Sequence, residues 1–143
     1  MAYTPQTWVN GAGGNTPVNA TRLGVMEAGI EDADNRLTVV ETQVIVNSQT
    51  GSYTLVLADA GKIVEVNAAG SSNITVPPNS SVAFPVGAII GVSQYGAGAV
   101  VIVPGGGVTV RSRNNLTTIG GRYGEVTLRK RATDEWVLVG DLV

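Results

Sequence analysis

Apolar residues in the first third of the chain recur at alternating spacings of three and four residues. The series comprises Leu23, Met26, Ile30, Ala33, Leu37, Val40 and Val44. These are the a and d spacings of a coiled-coil heptad, and they predict a helix over residues 19–48. Because the rest of the chain has no second helical period, the pattern favours self-association along this seam. A helix packed on its own domain is the alternative.

The residues that flank the seam refine this prediction. With Leu23 at position a, Arg36 lies at g and Glu41 at the next e, which is the spacing of a salt bridge between parallel helices. Leucine takes two a positions and no d position, a pattern that favours three or more helices. Gly24 and Gly29 each cost about 1 kcal/mol relative to alanine. We therefore predict a short homotrimeric coiled coil that is stabilised by its neighbouring segments.

Residues 1–18 are predicted to form an extended arm. Pro5 and the glycine-rich run at 11–14 disfavour both regular helix and strand. An arm this short does not bury its aromatic residues alone, so they either fold back on the helix or dock into another protein. The docking interpretation assigns as anchoring residues Tyr3, Trp8, Val9, Thr16 and Pro17.

From residue 52 onward, the pattern changes to alternation with period two and to short β-branched runs bounded by turn residues. The predicted strands are Tyr53–Leu57, Lys62–Asn67, Asn73–Val76, Ala88–Val92, Val100–Val103, Val108–Arg111, Glu125–Arg131 and Trp136–Val139. Because no helical crossover separates them, we predict a mainly β protein whose residues 52–143 form an antiparallel β-sandwich of the jelly-roll kind.

Composition narrows the classes of protein. A chain of 143 residues with 43% hydrophobic content suits one modest domain with an appendage. The net charge of −2 gives no indication of a nucleic-acid partner, and the absence of cysteine excludes disulfides and thiolate chemistry. No signal peptide opens the chain, and its longest apolar stretch, residues 82–103, is interrupted by Pro85 and several glycines. We expect neither secretion by a signal peptide nor a membrane span.

The sequence gives little support for a catalytic function. The chain has no histidine, which excludes Ser-His-Asp hydrolysis and histidine-bound zinc. The carboxylates that could form a glycosidase pair are Asp59, Glu65, Asp134, Glu135 and Asp141. Each lies at a turn or on an alternating strand, where a structural role is the simpler interpretation. We predict a protein that is not an enzyme and has no cofactor or metal.

Positive charge is concentrated in residues 111–131, which hold five arginines and Lys130 against the single acidic residue Glu125. Such a face would attract an anionic surface such as a glycan, or it would simply keep the outer strands soluble. The candidate ligand surface comprises Tyr95, Arg111, Arg113, Arg122, Arg129 and Arg131. Tyr123 and Trp136 are further rings that could stack on sugars, although a core or interface role is the alternative.

Two segments resemble known bacteriophage proteins. The run TWVNGAGGNTPVNATRLGVMEAGIEDA is similar to the N-terminal segment of many small virion proteins of tailed phages. The runs YTLVLADAGKIVEVN, ITVPPNSSVAFPVGAIIGVSQYGAGAVVIVP and EWVLVGDLV resemble the β-knobs of phage tail fibres, head fibres and capsid decoration proteins. Together these segments cover most of the chain.

The resemblance implies a homotrimer on the virion surface, anchored to capsid or tail proteins through its N-terminal arms and displaying β-knobs outward. The long shaft or collagen-like repeats of many such proteins are missing here, which favours a compact capsid or tail-surface attachment. A tail-tip receptor-binding protein that recognises host cell-wall glycan is the alternative function.

Overall fold

The computed structural model describes residues 24–33 and 43–143, and the chain divides into two units, Met1–Gln43 and Val44–Val143. In the first unit, residues 24–33 form a helix, α1, on which every residue is exposed. The predicted seam residues Met26, Ile30 and Ala33 lie on α1. The other predicted residues of this unit lie outside the described residues; they are Leu23, Leu37, Val40, Tyr3, Trp8, Val9, Thr16 and Pro17.

Residues 44–143 contain nine strands in two sheets. The strands are β1 (Val46–Gln49), β2 (Tyr53–Thr54), β3 (Ile63–Val66), β4 (Ser72–Val76), β5 (Ile89–Gln94), β6 (Val100–Pro104), β7 (Thr109–Arg111), β8 (Glu125–Ala132) and β9 (Glu135–Gly140). A six-stranded sheet has the order β1-β3-β5-β8-β9-β7, and a three-stranded sheet has the order β2-β4-β6.

From β1 to β6 the chain alternates between the two sheets. Two successive strands, one in each sheet, make one circuit. Each strand of a later circuit pairs in parallel with the equivalent strand of the circuit before it, as β1-β3-β5 in one sheet and β2-β4-β6 in the other. This is the arrangement of a parallel β-solenoid, in which stacked circuits share one core. The antiparallel strands β8 and β9 then extend the six-stranded sheet beyond β5, and β7 pairs in parallel with β9.

The prediction of a mainly β protein is confirmed, and each predicted strand is present within a few residues. The predicted antiparallel jelly-roll is wrong, because the three-stranded sheet is wholly parallel and the six-stranded sheet is mixed. Alternating burial looks the same in parallel and antiparallel strands, so the pattern carried no directional information. Parallel neighbours usually need a helical crossover. Here a strand of the opposite sheet makes the crossover instead.

The predicted helix extends too far. Residues 43–45 have no regular structure, and β1 occupies Val46–Gln49, so Val44 of the predicted seam is not helical. Three consecutive β-branched residues, Val44 to Val46, favour extended backbone. Pairing stabilises it further, because the amide of Ile63 donates a hydrogen bond of 3.1 Å to the carbonyl of Ile45.

One hydrophobic core lies between the two sheets. The six-stranded sheet contributes Val64, Val66, Ile90, Val92, Val126, Leu128, Trp136 and Leu138, and the three-stranded side contributes Leu55, Ile74, Val76, Val100 and Ile102. Most of these residues are β-branched, which suits a pleated surface whose alternate side chains are fully buried. Burial of each such side chain contributes about 1.5–3 kcal/mol, so this core is the main source of stability.

The first circuit turns polar side chains inward beside the apolar Leu55. The Asp59 carboxylate is buried and accepts hydrogen bonds from Asn47 Nδ2 at 2.8 Å, the Tyr53 hydroxyl at 3.1 Å and the Val56 amide at 2.8 Å. Burial and the Asp59 charge raise the pKa of Tyr53, while its hydrogen bond with Asn47 opposes the rise. This network lies at the end of the core that no earlier circuit of the described residues covers.

Glycines allow two corners of the solenoid to stack without a gap. The corner at Gly96 and Gly98 lies on the preceding corner at residues 68–70, and the Gly98 amide donates a hydrogen bond of 2.9 Å to the Ala68 carbonyl. A Cβ atom on Gly98 would overlap the carbonyl group of Gly70, which is backbone and has no alternative rotamer. The later corner therefore needs a residue without a side chain at Gly98.

We predict that Gly98→Ala lowers the free energy of unfolding by about 3 kcal/mol or more, because the circuits must separate to admit the methyl group. Gly106→Ala is the matched control: a methyl group on Gly106 would have no other residue's atoms within 4 Å, so this substitution leaves stability unchanged or raises it by up to about 1 kcal/mol. Denaturant unfolding followed by tryptophan fluorescence measures both. Equal stability of the two variants would contradict the close stacking of the corners.

Candidate functional site

Two exposed tyrosines and an arginine form a cluster where β5 ends and β8 begins. The rings of Tyr95 and Tyr123 meet edge to face, with their centroids 5.8 Å apart. The guanidinium carbon of Arg122 lies 4.9 Å from the centroid of the Tyr123 ring. Arg122 Nε also donates a hydrogen bond of 3.0 Å to the Tyr95 carbonyl. We call these three residues the tyrosine cluster; Tyr95 is 45% exposed and Tyr123 is 69% exposed.

Strand pairing holds the cluster in place. Beyond the last paired residues of β5 and β8, the Tyr123 amide donates to the Gln94 carbonyl at 2.6 Å and the Gln94 amide donates to the Gly124 carbonyl at 2.9 Å. Tyr123 has a φ of 70°, which places a bulky residue in the left-handed region at a cost of about 1–2 kcal/mol. Backbone strain of this kind concentrates at functional sites.

A second feature that is unfavourable in free energy lies beside the tyrosine cluster. Gln94 is the buried residue directly before Tyr95, and its Oε1 atom has no hydrogen-bond partner among the described residues. A buried acceptor without a partner costs about 1–3 kcal/mol. The end of β5 therefore brings together two unfavourable features, the unpaired side-chain oxygen of Gln94 and the strained backbone of the neighbouring Tyr123. The surrounding core stabilises both.

The tyrosine cluster has the chemistry of a sugar-binding surface. Exposed aromatic rings stack on the apolar faces of sugars, and tyrosine hydroxyls hydrogen-bond to sugar hydroxyls. The Arg122 guanidinium adds five fixed donors and a positive charge, which suits an acidic or heavily hydroxylated ligand. The sequence placed Tyr95 and Arg122 in one candidate ligand surface and named Tyr123 as a further ring that could stack on sugars. The glycines on both sides of Arg122 and Tyr123 were the available signal of an irregular loop that would bring them together.

Two other predicted ligand residues are already engaged on their own chain. Arg111 Nε pairs with Oε1 of Glu135, and Arg131 Nη1 pairs with Oε2 of the same carboxylate at 2.7 Å. The hydrogen bond from Arg111 is the main cause that holds the pKa of Glu135 below its usual range; Arg131 lowers it further and partial desolvation opposes both. Both arginines lie at the surface, so these pairs add little to stability.

The remaining predicted ligand residues lie elsewhere. Arg129 is exposed on the outer face of β8. Arg113 lines a shallow groove of about 370 Å³ together with Asn114, Leu116, Val139, Gly140 and Leu142. Of the six predicted ligand residues, Tyr95 and Arg122 belong to the tyrosine cluster and Arg113 lines this groove. The other three, Arg111, Arg129 and Arg131, are exposed on strands of the six-stranded sheet.

Trp136 and Lys130, which the sequence allowed as surface residues, are buried. Trp136 packs edge to face on Phe84, with ring centroids 5.3 Å apart, so it is not available for stacking on a sugar. Lys130 is 2% exposed. Its ammonium group donates to Asn79 Oδ1 at 2.5 Å and to the Phe84 carbonyl at 2.8 Å. Lys130 therefore fastens the loop at residues 77–87 to β8 and does not belong to a basic surface.

Three of the carboxylates considered for catalysis take part in hydrogen bonds or ion pairs within the chain. Asp59 accepts three hydrogen bonds in the first circuit, Glu135 binds two arginines, and Asp134 accepts a hydrogen bond of 2.6 Å from the Asn79 amide. Within residues 24–33 and 43–143, no group of three acidic side chains is placed to hold a metal ion. No helix in that same part of the chain is long and apolar enough to cross a membrane.

Comparison of the chain with models of protein families, with curated proteins and with solved structures gives no match. A function therefore has to be inferred from the geometry of the chain itself.

We predict that Lys130→Met lowers the free energy of unfolding by about 2–3 kcal/mol, because it keeps the volume of the side chain but leaves Asn79 and Phe84 without their donor. Arg113→Met replaces an exposed cation in the same way and should change stability by about 0.5 kcal/mol or less. Chemical denaturation compares the two variants. A Lys130→Met protein as stable as wild type would show that Lys130 does not fasten the loop.

Proposed function

We propose that this chain is a bacteriophage virion structural protein: a homotrimeric fibre or decoration protein that is anchored to the capsid or tail through its N-terminal arms and displays β-domains. Its work is assembly, and no catalytic step is involved. The observation that carries the proposal is the uncovered apolar surface of α1, which needs a partner.

The helix supports this proposal through its exposed apolar positions. Val25, Met26 and Ile30 are 70%, 49% and 67% exposed. An isolated helix of this length is marginal in water, so its stability has to come from packing of its apolar face. Met26 and Ile30 occupy d and a positions of the heptad, whereas Val25 occupies position c, on the side away from the seam. Two further copies of the helix would cover the seam and leave Val25 in solvent.

Trimerisation would also explain how a short arm attaches firmly. Three arms on one particle make the second and third contacts intramolecular, and avidity then exceeds the affinity of one arm by about 10²–10⁴-fold. A compact β-domain with an exposed outer surface suits display on a virion, and its stacked circuits need no disulfide or metal for stability.

We predict that Ile30→Asp makes the protein monomeric in light scattering, because each seam would bury three like charges. The same variant should bind virions assembled without the protein at least about 100-fold more weakly, since a single arm replaces three. Val25→Asp is the matched control: it places the same residue on the same helix outside the seam, and it should leave mass and binding unchanged.

Two results would contradict this proposal. One is a monomeric wild-type protein, and the other is a wild-type trimer that does not bind the particles. Deletion of residues 2–15 separates the two functions of the N-terminal region, because it should preserve the trimer and abolish binding to particles.

A second candidate function, recognition of host cell-wall glycan at the tail tip, is favoured by the tyrosine cluster. Tyr123 is the most exposed aromatic ring of the described residues, and its backbone is held in a conformation that glycine would adopt without strain. Presentation of a strained, exposed ring beside a guanidinium group has no evident benefit for the core. Binding of a sugar on the exposed part of the Tyr123 ring, beside the Arg122 guanidinium, would explain it.

We predict that Tyr123→Gly abolishes binding of the full-length protein to purified host cell-wall polysaccharide without lowering its thermal stability, because glycine relieves the left-handed strain. Tyr53→Phe is the control: it removes a tyrosine hydroxyl outside the tyrosine cluster, and this variant should retain polysaccharide binding. Microscale thermophoresis measures binding and calorimetry measures stability. Unchanged polysaccharide binding by Tyr123→Gly would refute a glycan site at the cluster.

A further inference from the structure

The outer face of the six-stranded sheet carries a continuous row of apolar and small residues. Side chains alternate along each strand, so the residues between the buried ones face outward. The pairing register aligns one outward residue from each of five strands: Val46, Ile63, Gly91, Thr127 and Val139. We call this the central row. Val46 is 50% exposed and Val139 is 55% exposed, so nothing in the described part of the chain covers its two ends.

A basic row lies on one side of the central row, about 7 Å away along the strands. The register aligns Ile89, Arg129, Val137 and Arg111. Arg129 forms no ion pair within the described residues. Arg111 shares Glu135 with Arg131, and that group keeps one net positive charge. Ile89 is 52% exposed and extends the apolar surface of the central row.

An acidic row lies at the same spacing on the other side of the central row. It consists of Ser48, Glu65, Ser93 and Glu125. Neither Glu65 nor Glu125 forms an ion pair within the described residues. The face thus has an apolar centre, a positive side and a negative side, all parallel to the direction in which the strands stack.

We propose that this face is a self-association surface and that its occupant is the same face of further copies of this chain. The copies would be arranged about an axis parallel to the central row, which would bring their central rows together at the axis. Rotation about such an axis places the basic row of each copy beside the acidic row of the next copy. The two sides of one face therefore complement each other across every contact.

The pattern distinguishes this occupant from an unrelated partner. The surface of an unrelated partner could complement this face whatever its charges are. Nothing would then require the two sides of the face to be opposite in charge. Cyclic self-association does favour it, because one side of each face meets the other side of the next copy and like charges there would repel. At Gly91 the central row has no side chain of its own, and the Ile63 side chain covers this position: a Cβ atom on Gly91 would lie 3.0 Å from Ile63 Cγ1.

Symmetry makes the proposal specific to one pair of residues. A rotation without translation keeps every residue at its height along the axis, and Arg129 and Glu125 both belong to β8. Arg129 of one copy would therefore face Glu125 of the next. This surface goes beyond the proposed function, in which α1 carries the self-association.

Sedimentation velocity of the full-length protein over a range of concentrations tests the proposal, with each variant compared with wild type. We expect Val139→Glu to raise the dissociation constant at least about tenfold, because it places charges at the axis. Val143→Glu is the control. Val143 is 61% exposed and its amide donates to Thr118, beside the three-stranded sheet, so association should stay unchanged.

A charge exchange provides the sharper test. Arg129→Glu alone should raise the dissociation constant about tenfold, and Glu125→Arg in the same chain should restore it, because the pair is then reversed across each contact. If both Val139→Glu and Arg129→Glu associate like wild type while wild type is oligomeric, this surface is refuted and the helical trimer stands. A failure of the double variant to recover would also refute it. A wild-type protein that is monomeric throughout would refute both proposals.

Discussion

Parallel pairing between successive circuits is the interaction on which the rest of this structure depends. When the chain passes from one sheet to the other and returns, the backbone hydrogen bonds of the new strand fix its register against the strand before it. Residues at equivalent positions then align in rows along the stacking direction. The buried rows form the core, as with Val64 and Val92, and the outward rows determine what the surface presents. A shift of register by one residue would exchange the two sets.

This constraint also explains where polar groups and glycines occur. Among the described residues no circuit precedes the first one. Asn47, which is hydrogen-bonded to Asp59, there occupies the position that Val64 and Val92 occupy in the next two circuits. The corners must stack as closely as the strands do, which leaves no space for a side chain at Gly98. After the third circuit the direction of pairing changes. Where β8 pairs with β5 in antiparallel direction, the residues just before β8 include the strained Tyr123, which belongs to the tyrosine cluster.

The strands could be predicted from the sequence because β-branched residues alternate with polar ones and are bounded by turn residues. Their direction could not, since period-two burial is the same in parallel and antiparallel sheets. The end of the helix was misplaced because Val44 continues the heptad spacing although it belongs to an extended, β-branched run. Among the site residues, Tyr95 and Arg122 were predicted as members of one ligand surface, with Tyr123 as a further ring. Three features depend on the register between strands, which local sequence does not encode. They are the contact of Tyr95 and Arg122 with Tyr123, the burial of Lys130, and the rows of residues on the outer face of the six-stranded sheet.

Both proposed surfaces, the apolar face of α1 and the outer face of the six-stranded sheet, lead to one central claim: the chain functions as a cyclic homotrimer. Native mass spectrometry of isotopically labelled and unlabelled chains, refolded together, tests that claim most directly. We expect trimers with every combination from fully unlabelled to fully labelled. Two unmixed masses of the single chain would contradict the claim.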